Sequence, residues 1–373
     1  SNVIISGFVG PQRKRWMEGM PSPPDDSKAQ PVPAQPALPP KPTVSSLLDA
    51  MRDGREYSSL LEVQPNNVNL VAEIRRAIAD VEQARGRRLI CYVANVLRAG
   101  DVGTAIELAD DLPFAELVAS VPATEKTVDV FVVTPGGSGQ QVNSFVSKLR
   151  PRFDFVGFVI PHMCMSAGTL WVTSGNEIVM DDRAFLGPID PQVRNREGRY
   201  VPAQALFTLV SDIQRKGEAA LAQGLQPRWT DIQLLRLLDP KELGDALAAS
   251  HYSVQLATDY LNRYKLADWR VRQSSGQPVT AEHRQKTALK IANLLGSHDE
   301  WKAHSHGIFP DVLHAKCGLH IVRPNQNLAR AMRRLWALFY WVFENTDIQK
   351  AYISNTYSMF RTKPKLRQTN GKM

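Results

Sequence analysis

The sequence predicts an α/β fold in which parallel strands alternate with helices, extended by a helical insertion. Two observations support this prediction. Between residues 65 and 195, short apolar segments of strand length alternate with segments of helical periodicity, and from about Ala203 to Ala292 the pattern is helical throughout. Helices between strands indicate right-handed crossovers, which place the loops that carry catalysis at the ends of parallel strands.

The predicted elements follow one another in a regular order, each helix preceding a short apolar strand. They are a helix over Asn69–Arg85, a strand at Arg88–Ala94, a helix over Ala105–Ser120, a strand at Val128–Val133, a helix over Val142–Leu149 and a strand at Phe155–Ile160. In the helical segment that follows, Asp239 and Pro240 are suited to the cap and first turn of a helix.

Composition predicts where the ordered part of the chain begins and ends. Ten of the 25 prolines lie in the first 42 residues, and such a stretch lacks the donors that a helix or sheet needs. We predict a proline-rich disordered segment at 1–45, an α/β core at 46–200, a helical insertion at 201–295, the C-terminal part of the core with a helix at 296–360, and a basic tail at 361–373.

The charge of +8, with an isoelectric point near 9.4, is unevenly distributed. The last 13 residues carry five basic side chains and no acidic one: Arg361, Lys363, Lys365, Arg367 and Lys372. We interpret this tail as a solvated terminus, and contact of the tail with nucleic acid or an acidic membrane surface is the alternative.

Cysteine content and hydropathy exclude a disulfide-stabilised protein and a membrane-spanning one. Three scattered cysteines are too few for a disulfide framework, which fits a reducing, cytoplasmic location, at most peripheral to a membrane. The longest apolar run, Leu335–Phe343, has nine residues, whereas a membrane span needs about 20. We expect this run to form a buried helix or an oligomer contact.

Two short motifs at strand ends have the composition of a catalytic site. Thr134-Pro-Gly-Gly-Ser-Gly139 follows a predicted strand, and paired glycines let backbone N–H groups turn toward a phosphate or an oxyanion. Met163-Cys-Met-Ser-Ala-Gly-Thr169 follows the next strand, where a serine can present its hydroxyl. Each motif alone also fits a simple turn or a helix cap.

Taken in order, these motifs resemble the serine dehydrogenase proteinase family, which is related to signal peptide peptidase A and belongs to the Clp protease/crotonase superfamily. The resemblance continues through Asn176–Asp181 and Leu186–Gln192, and resumes at Trp301–Pro310 and Ala315–Leu319. It implies a ClpP/crotonase-like ββα superhelix, a homo-oligomer, a peptide or protein substrate and no cofactor.

The resemblance also implies a serine peptidase site. Ser166 would be the nucleophile, and the backbone amides of Gly136 or Gly137, together with that of Ala167, would form the oxyanion hole. Cys164 lies two residues before Ser166, but a free cysteine beside a buried strand is usually a core residue.

The general base is not evident from the motifs. Clp proteases have a histidine about two dozen residues after the serine, where this chain reads Phe185–Asp190 and has none. Signal peptide peptidases use a lysine, and the first lysine after Ser166 is Lys216. We therefore expect His306, which matches the family's C-terminal histidine, to be the base, oriented by Asp190. Lys216 is the alternative base.

Three other interpretations remain open at this stage. A protein of this fold without activity could bind peptides or partner proteins in its groove. Acyl-CoA chemistry, as in crotonases, would use a similar backbone oxyanion hole without a nucleophilic serine. A zinc site could form from His304, His306, His314 and Cys317, although their spacing fits no standard template.

Overall fold

A six-stranded mixed sheet lies at the centre of the computed structural model, which describes residues 40–194, 200–272 and 275–363. Within these ranges the strands are β1 Thr43–Val44, β2 Gln64–Pro65, β3 Arg88–Ala94, β4 Thr127–Val133, β5 Phe155–Ile160, β6 Met163–Cys164, β7 Glu177–Met180, β8 Phe185–Leu186, β9 Gln192–Arg194, β10 Tyr200–Pro202, β11 Ile348–Ile353 and β12 Ser358–Thr362. The sheet order is β12-β11-β3-β4-β5-β7. Strands β3, β4, β5 and β7 are parallel, whereas β11 and β12 are antiparallel to their neighbours.

Helices cover both faces of this sheet. They are α1 Leu47–Ala50, α2 Glu56–Leu61, α3 Leu70–Arg85, α4 Asp111–Ala119, α5 Gly139–Leu149, α6 Ala167–Val172, α7 Ala203–Ala222, α8 Trp229–Leu237, α9 Pro240–Tyr260, α10 Ala281–Leu295, α11 His298–Trp301, α12 Pro310–Ala315 and α13 Gln326–Asn345. Alternate residues of β3 enter two apolar clusters because side chains alternate across a strand. Cys91 belongs to the cluster that includes residues of α3 and α13, whereas Tyr92 belongs to the cluster that includes residues of α4, α5, α6, α9 and α10.

The three predicted strands are present. Arg88–Ala94 and Phe155–Ile160 have the predicted bounds, and β4 begins one residue before Val128. Because these strands are parallel, their carboxyl ends meet at one edge of the sheet, where the two motifs follow β4 and β5. The sheet therefore brings the glycine turn and the serine turn together.

The prediction of a helix over Ala105–Ser120 is wrong for its first residues. A 3₁₀ turn occupies Leu108–Asp110, and α4 begins only at Asp111. The physical reason is that Ile106 is extended and pairs with Gly137 in a parallel bridge. Its backbone groups are bonded to the glycine turn and are not available to a helix.

The segment predicted to be helical contains α7 to α10, with a π-helical turn at Leu261–Lys265 between α9 and α10. The predicted start of α9 is confirmed. The Asp239 side chain accepts a hydrogen bond from the Lys241 backbone N–H at 2.9 Å, and Pro240 occupies the first helical position.

The C-terminal part of the chain completes the sheet. The apolar run Leu335–Phe343 lies within α13, and its buried side chains pack against the core, as predicted for a buried helix. Among the described residues, no helix is long and apolar enough to cross a membrane. Arg361 lies in β12 and Lys363 pairs with Asp101, so the segment predicted as a basic tail begins within the fold. The rest of that tail, 364–373, and most of the proline-rich segment, 1–39, lie outside the described residues.

Candidate active site

Ser166 lies in a strained turn between β6 and α6. Its backbone has φ 51° and ψ −117°, a positive φ that non-glycine residues rarely adopt and that costs about 1–3 kcal/mol. The Ser166 side chain is half-buried and does not cap α6. Its hydroxyl has no hydrogen-bond partner among the described residues. The turn therefore presents a hydroxyl group that has no structural role of its own.

The glycine turn after β4 lies directly against Ser166. Gly136 has φ 100° and Gly137 has φ 144°, a region that favours glycine. A Cβ atom added to Gly136 would lie 2.7 Å from the Cβ of Ser166 and 3.3 Å from the backbone nitrogen of Ala167. One added to Gly137 would lie 2.5 Å from the backbone nitrogen of Ile106. Both positions thus require glycine, and the two sequence motifs are in contact.

Within the part of the chain that the structure describes, two backbone donors beside Ser166 remain free. The Gly136 N–H donates to Thr134 Oγ1 at 3.1 Å, and the Gly136 carbonyl accepts from Ile106 N–H at 2.7 Å. The N–H groups of Gly137 and Ala167 have no acceptor among the described residues. Free, fixed N–H groups at such a turn can stabilise a developing oxyanion. Of the two predicted glycines, Gly137 is therefore the one whose amide is available.

Thr169 joins the serine turn to the segment that leads to Asp190. Its buried hydroxyl donates to the Cys164 carbonyl at 2.9 Å and accepts from the Gly187 N–H at 3.0 Å. A Cβ atom added to Gly187 would lie 2.7 Å from the sulfur of Met165. The segment after β8 is therefore fixed against the residue that precedes Ser166.

Asp190 is buried and contacts two histidines from the segment after α10. Its Oδ1 accepts a hydrogen bond from His304 Nδ1 at 2.9 Å, and since a carboxylate only accepts, the proton lies on Nδ1. His298 Nδ1 lies 3.6 Å from Asp190 Oδ2, and neither of these atoms has a hydrogen-bond partner in the described chain. The Asp190 bond leaves Nε2 of His304 able to accept a proton.

The structure does not bring His306 to Asp190. His306 is exposed, and its ring lies 5.5 Å from that of Trp301, so the carboxylate is occupied by His304, two residues earlier. Lys216, the alternative base, lies on α7 and forms an ion pair with Asp212 of the same helix. Its side chain is 52% exposed, and its partner within the described chain is this carboxylate.

Two further side chains close to Ser166 in sequence, those of His162 and Cys164, are packed against other parts of the protein. His162 stacks on Trp336 with ring centroids 5.3 Å apart, and burial lowers its pKa. Cys164 is fully buried, which raises the pKa of its thiol, so this thiol is not poised as a nucleophile. In the part of the chain that the structure describes, no group of three His, Cys, Asp or Glu side chains could hold a metal ion.

The pairing of His304 with Asp190 is not evident from the sequence. The two residues are 114 positions apart, and five histidines between 298 and 320 gave no local reason to prefer one of them. Resemblance favoured His306, whereas the fold selects the histidine whose ring reaches the buried carboxylate. An apolar stretch around Asp190 was the available signal, because a buried carboxylate needs a hydrogen-bonded partner.

Comparison with known protein families agrees with this geometry. A model of the ClpP-like SDH-type serine proteinase family matches residues 59–220, which include both glycines, Ser166 and Asp190. Residues 59–220 are therefore similar to this family. The predicted family and the predicted ClpP-like α/β fold are confirmed for this part of the chain, and a protease is supported at the family level.

The individual relatives carry less functional information than the family model does. Two uncharacterized proteins of Methanocaldococcus jannaschii are similar in sequence: one is 28% identical over 58% of this chain and 70% of its own length, the other 30% identical over 30% of this chain. This chain spans only 36% of the second relative.

Two solved structures are similar to this chain. A mutant of the membrane-bound stomatin-specific protease 1510-N, in complex with a substrate peptide, matches 74% of this chain and 88% of its own, with 13% identity and a TM-score of 0.35. A ClpP1 mutant from Listeria monocytogenes matches 44% of this chain and 91% of its own, with 12% identity and a TM-score of 0.24.

Proposed function

We propose that the protein is a serine peptidase that hydrolyses peptide bonds with Ser166 as its nucleophile. The observation that carries this proposal is the contact between the strained Ser166 turn and the glycine turn. This contact places the Ser166 hydroxyl beside the amides of Gly137 and Ala167, all three without a hydrogen-bond partner in the described chain. A nucleophile next to a pair of fixed donors is the arrangement that acyl transfer requires.

The proposed reaction proceeds in two halves. Ser166 Oγ attacks the carbonyl carbon of the scissile bond while its proton passes to the base, and the amides of Gly137 and Ala167 bind the resulting oxyanion. The base then protonates the amine that leaves as the C–N bond breaks. In the second half, water attacks the acyl-serine ester while the same base accepts a proton of water, and the base returns this proton to Ser166 Oγ as the acyl carbon–Oγ bond breaks.

We propose His304, rather than His306, as this base. Asp190 stands 24 residues after Ser166, the separation at which Clp proteases have their histidine, and His304 is bonded to that carboxylate. No hydrogen bond joins His304 to Ser166 Oγ, so the proposal requires the ring to approach the hydroxyl when substrate binds. Catalytic hydrogen bonds of this kind are often formed only in the substrate complex.

The substrate-free geometry also favours a second candidate function. Because no base contacts the Ser166 hydroxyl among the described residues, the same two turns could bind a peptide without cleaving it. In that case Ser166→Ala would leave peptide binding unchanged, and the protein would release no product.

Hydrolysis of an unfolded protein tests the proposal. We expect the protein to release peptides from casein, and Ser166→Ala to lower the rate by at least about 1,000-fold. Ser147→Ala, at an exposed serine on α5, is the matched control and should retain the wild-type rate. Equal rates for the wild type and Ser166→Ala would contradict the proposal.

We also propose that the chain assembles with itself. Several large apolar side chains of the helical segment are exposed, among them Trp229 at 71% and Leu237 at 72% of α8. Exposed apolar side chains grouped in this way are typical of protein interfaces. Light scattering after gel filtration should give a multiple of 41.6 kDa, and a monomer at micromolar concentration would contradict the assembly.

A further inference from the structure

A buried ion pair lies at the same edge of the sheet as the serine turn, outside the residues proposed for catalysis. Its centre is Asp110, which is fully buried at the start of α4. The Asp110 carboxylate accepts hydrogen bonds from five groups: Tyr92 OH at 2.8 Å, Tyr352 OH at 2.6 Å, Lys350 Nζ at 2.6 Å, Arg361 Nη1 at 3.1 Å and the Glu107 backbone N–H at 3.0 Å. All of its hydrogen-bonding capacity is therefore satisfied.

Lys350 is the unusual partner in this cluster, because lysine side chains are rarely fully buried. It lies on β11 opposite Ala94, the last residue of β3, and thus at the carboxyl end of the parallel strands. Besides both Asp110 oxygens, its ammonium donates to the backbone carbonyl of Ala105 at 2.6 Å. The three ammonium protons thus have three acceptors, one of which belongs to a loop.

That loop is the support of the glycine turn. Next to Ala105, the Ile106 N–H donates to the Gly136 carbonyl at 2.7 Å, and the Ile106 carbonyl accepts from Ser138 N–H at 2.9 Å. The Ile106 backbone packs so closely against Gly137 that no Cβ atom fits between them. The position of Ile106 therefore sets the direction of the Gly137 N–H. The position of Ile106 depends in turn on the neighbouring residue, Ala105.

We propose that Lys350, held by Asp110, is a positioning residue for the oxyanion hole. It fixes Ala105, and through Ile106 it fixes the orientation of the Gly137 amide beside Ser166. This inference rests on the proposed peptidase function. It adds Lys350 to the residues on which that function would depend. A buried ion pair contributes little net stability compared with apolar residues of similar volume, but its directional bonds select one loop geometry.

The kinetics of Lys350→Met test this role. We expect kcat for a peptide that the wild type cleaves to fall about 10- to 100-fold with KM unchanged, because a small misplacement of an oxyanion donor acts on the transition state. A peptide aldehyde of the same sequence, which forms a tetrahedral adduct with serine, should inhibit more weakly by a similar factor. A purely structural role would not shift aldehyde affinity and kcat in parallel.

Arg85→Met is the matched control. Arg85 Nε donates at 2.6 Å to Asp129, which is also fully buried but lies four residues before the end of β4. Both variants leave a buried aspartate without its main cation, so both should lower stability. Only Lys350→Met should lower kcat and weaken aldehyde binding.

A double variant keeps the test decisive if Lys350→Met alone does not fold. Lys350→Met combined with Asp110→Asn leaves no unpaired charge, and it should fold while showing the same kinetic loss. Wild-type kcat and aldehyde affinity in a folded variant would overturn the inference alone. A wild-type protein without any peptidase activity would overturn the proposed function, and this inference with it.

Discussion

The Asp190 carboxylate accepts a hydrogen bond from His304 Nδ1 at 2.9 Å, across 114 residues of sequence. This bond fixes the tautomer of the ring and leaves Nε2 able to accept a proton. It connects the segment after the helical insertion to the segment after β8, which is held against Met165 and Thr169. If His304 is the base, as we propose, the helical segment returns the chain to the site with this histidine.

His304→Ala should lower peptide hydrolysis on the order of 100- to 10,000-fold, the usual contribution of a general base. His306→Ala is the matched control: its ring is exposed and lies against Trp301, so its loss should change the rate less than about twofold. Initial rates on one peptide substrate compare the two variants. The reverse order of effects would return the role of base to His306.

Gly136→Ala should abolish hydrolysis and lower stability, because the added methyl group would lie 2.7 Å from the Cβ of Ser166. Gly86→Ala is the control that distinguishes the effect of this clash from the effect of backbone strain alone. Gly86 also has a positive φ, 67°, but a Cβ atom there meets nothing within 4 Å. It should cost about 1 kcal/mol of unfolding free energy and leave the rate unchanged. Urea denaturation and initial rates measure both quantities, and an active Gly136→Ala protein would contradict the described contact.

Thr169→Val should destabilise the protein by about 1–3 kcal/mol, because the buried Gly187 N–H loses its acceptor. Thr169→Ser keeps the hydroxyl and should lose much less. If the Thr169 bond also holds the segment that leads to Asp190, the valine variant should hydrolyse peptides more slowly than the serine variant at equal folded fraction. Denaturant midpoints and rates of the two variants provide the comparison.

Lys265 makes the stability depend on pH in the alkaline range. Burial lowers its pKa to about 8, against a smaller opposing effect of Glu177, whereas in the unfolded chain the value is near 10.5. Below pH 8 both states bind the proton, so the cost of burying the ammonium is fully present. Between pH 8 and 10.5 the unfolded state binds more protons, so the free energy of unfolding contributed by this group rises with pH.

Lys265→Met should therefore stabilise the protein at pH 7, by about 1–3 kcal/mol, and the gain should disappear near pH 10.5. Lys286→Met is the control, since Lys286 is exposed and pairs with Glu282 on the surface of α10. Urea titrations at pH 7, 9 and 10.5 measure the difference. A gain that is independent of pH would assign the effect to packing instead.

The sequence predicts best those parts of the fold in which the hydrophobic pattern of a segment matches its burial in the folded protein. Strands such as Phe155–Ile160 are apolar on both faces because helices cover both sides of a parallel sheet. The turns at Gly136 and Ser166 were recognisable because small residues follow two such strands. Their contact follows from the parallel order of β4 and β5.

The rest of the site depends on contacts that no local pattern encodes. The ring that binds Asp190 could be chosen only once the course of the chain through the helical segment was known. Lys350 lies in a six-residue strand that is otherwise mostly apolar, but burial of its ammonium becomes evident only with Asp110 in place. The local pattern predicts a helix at Ile106 because its partner in the bridge, Gly137, lies 31 residues away in sequence.

Labelling with a fluorophosphonate tests the central claim most directly, because the reagent reacts only with an activated serine beside an oxyanion hole. Trypsin would release Ser166 in the peptide Phe153–Arg183, which contains one other serine, Ser174, fully buried and bonded to the Trp171 carbonyl. We predict one phosphonate adduct per chain, mapped by mass spectrometry to Ser166 and absent from Ser166→Ala. A folded protein without this adduct, or an adduct that persists in Ser166→Ala, would contradict the assignment of Ser166 as the nucleophile.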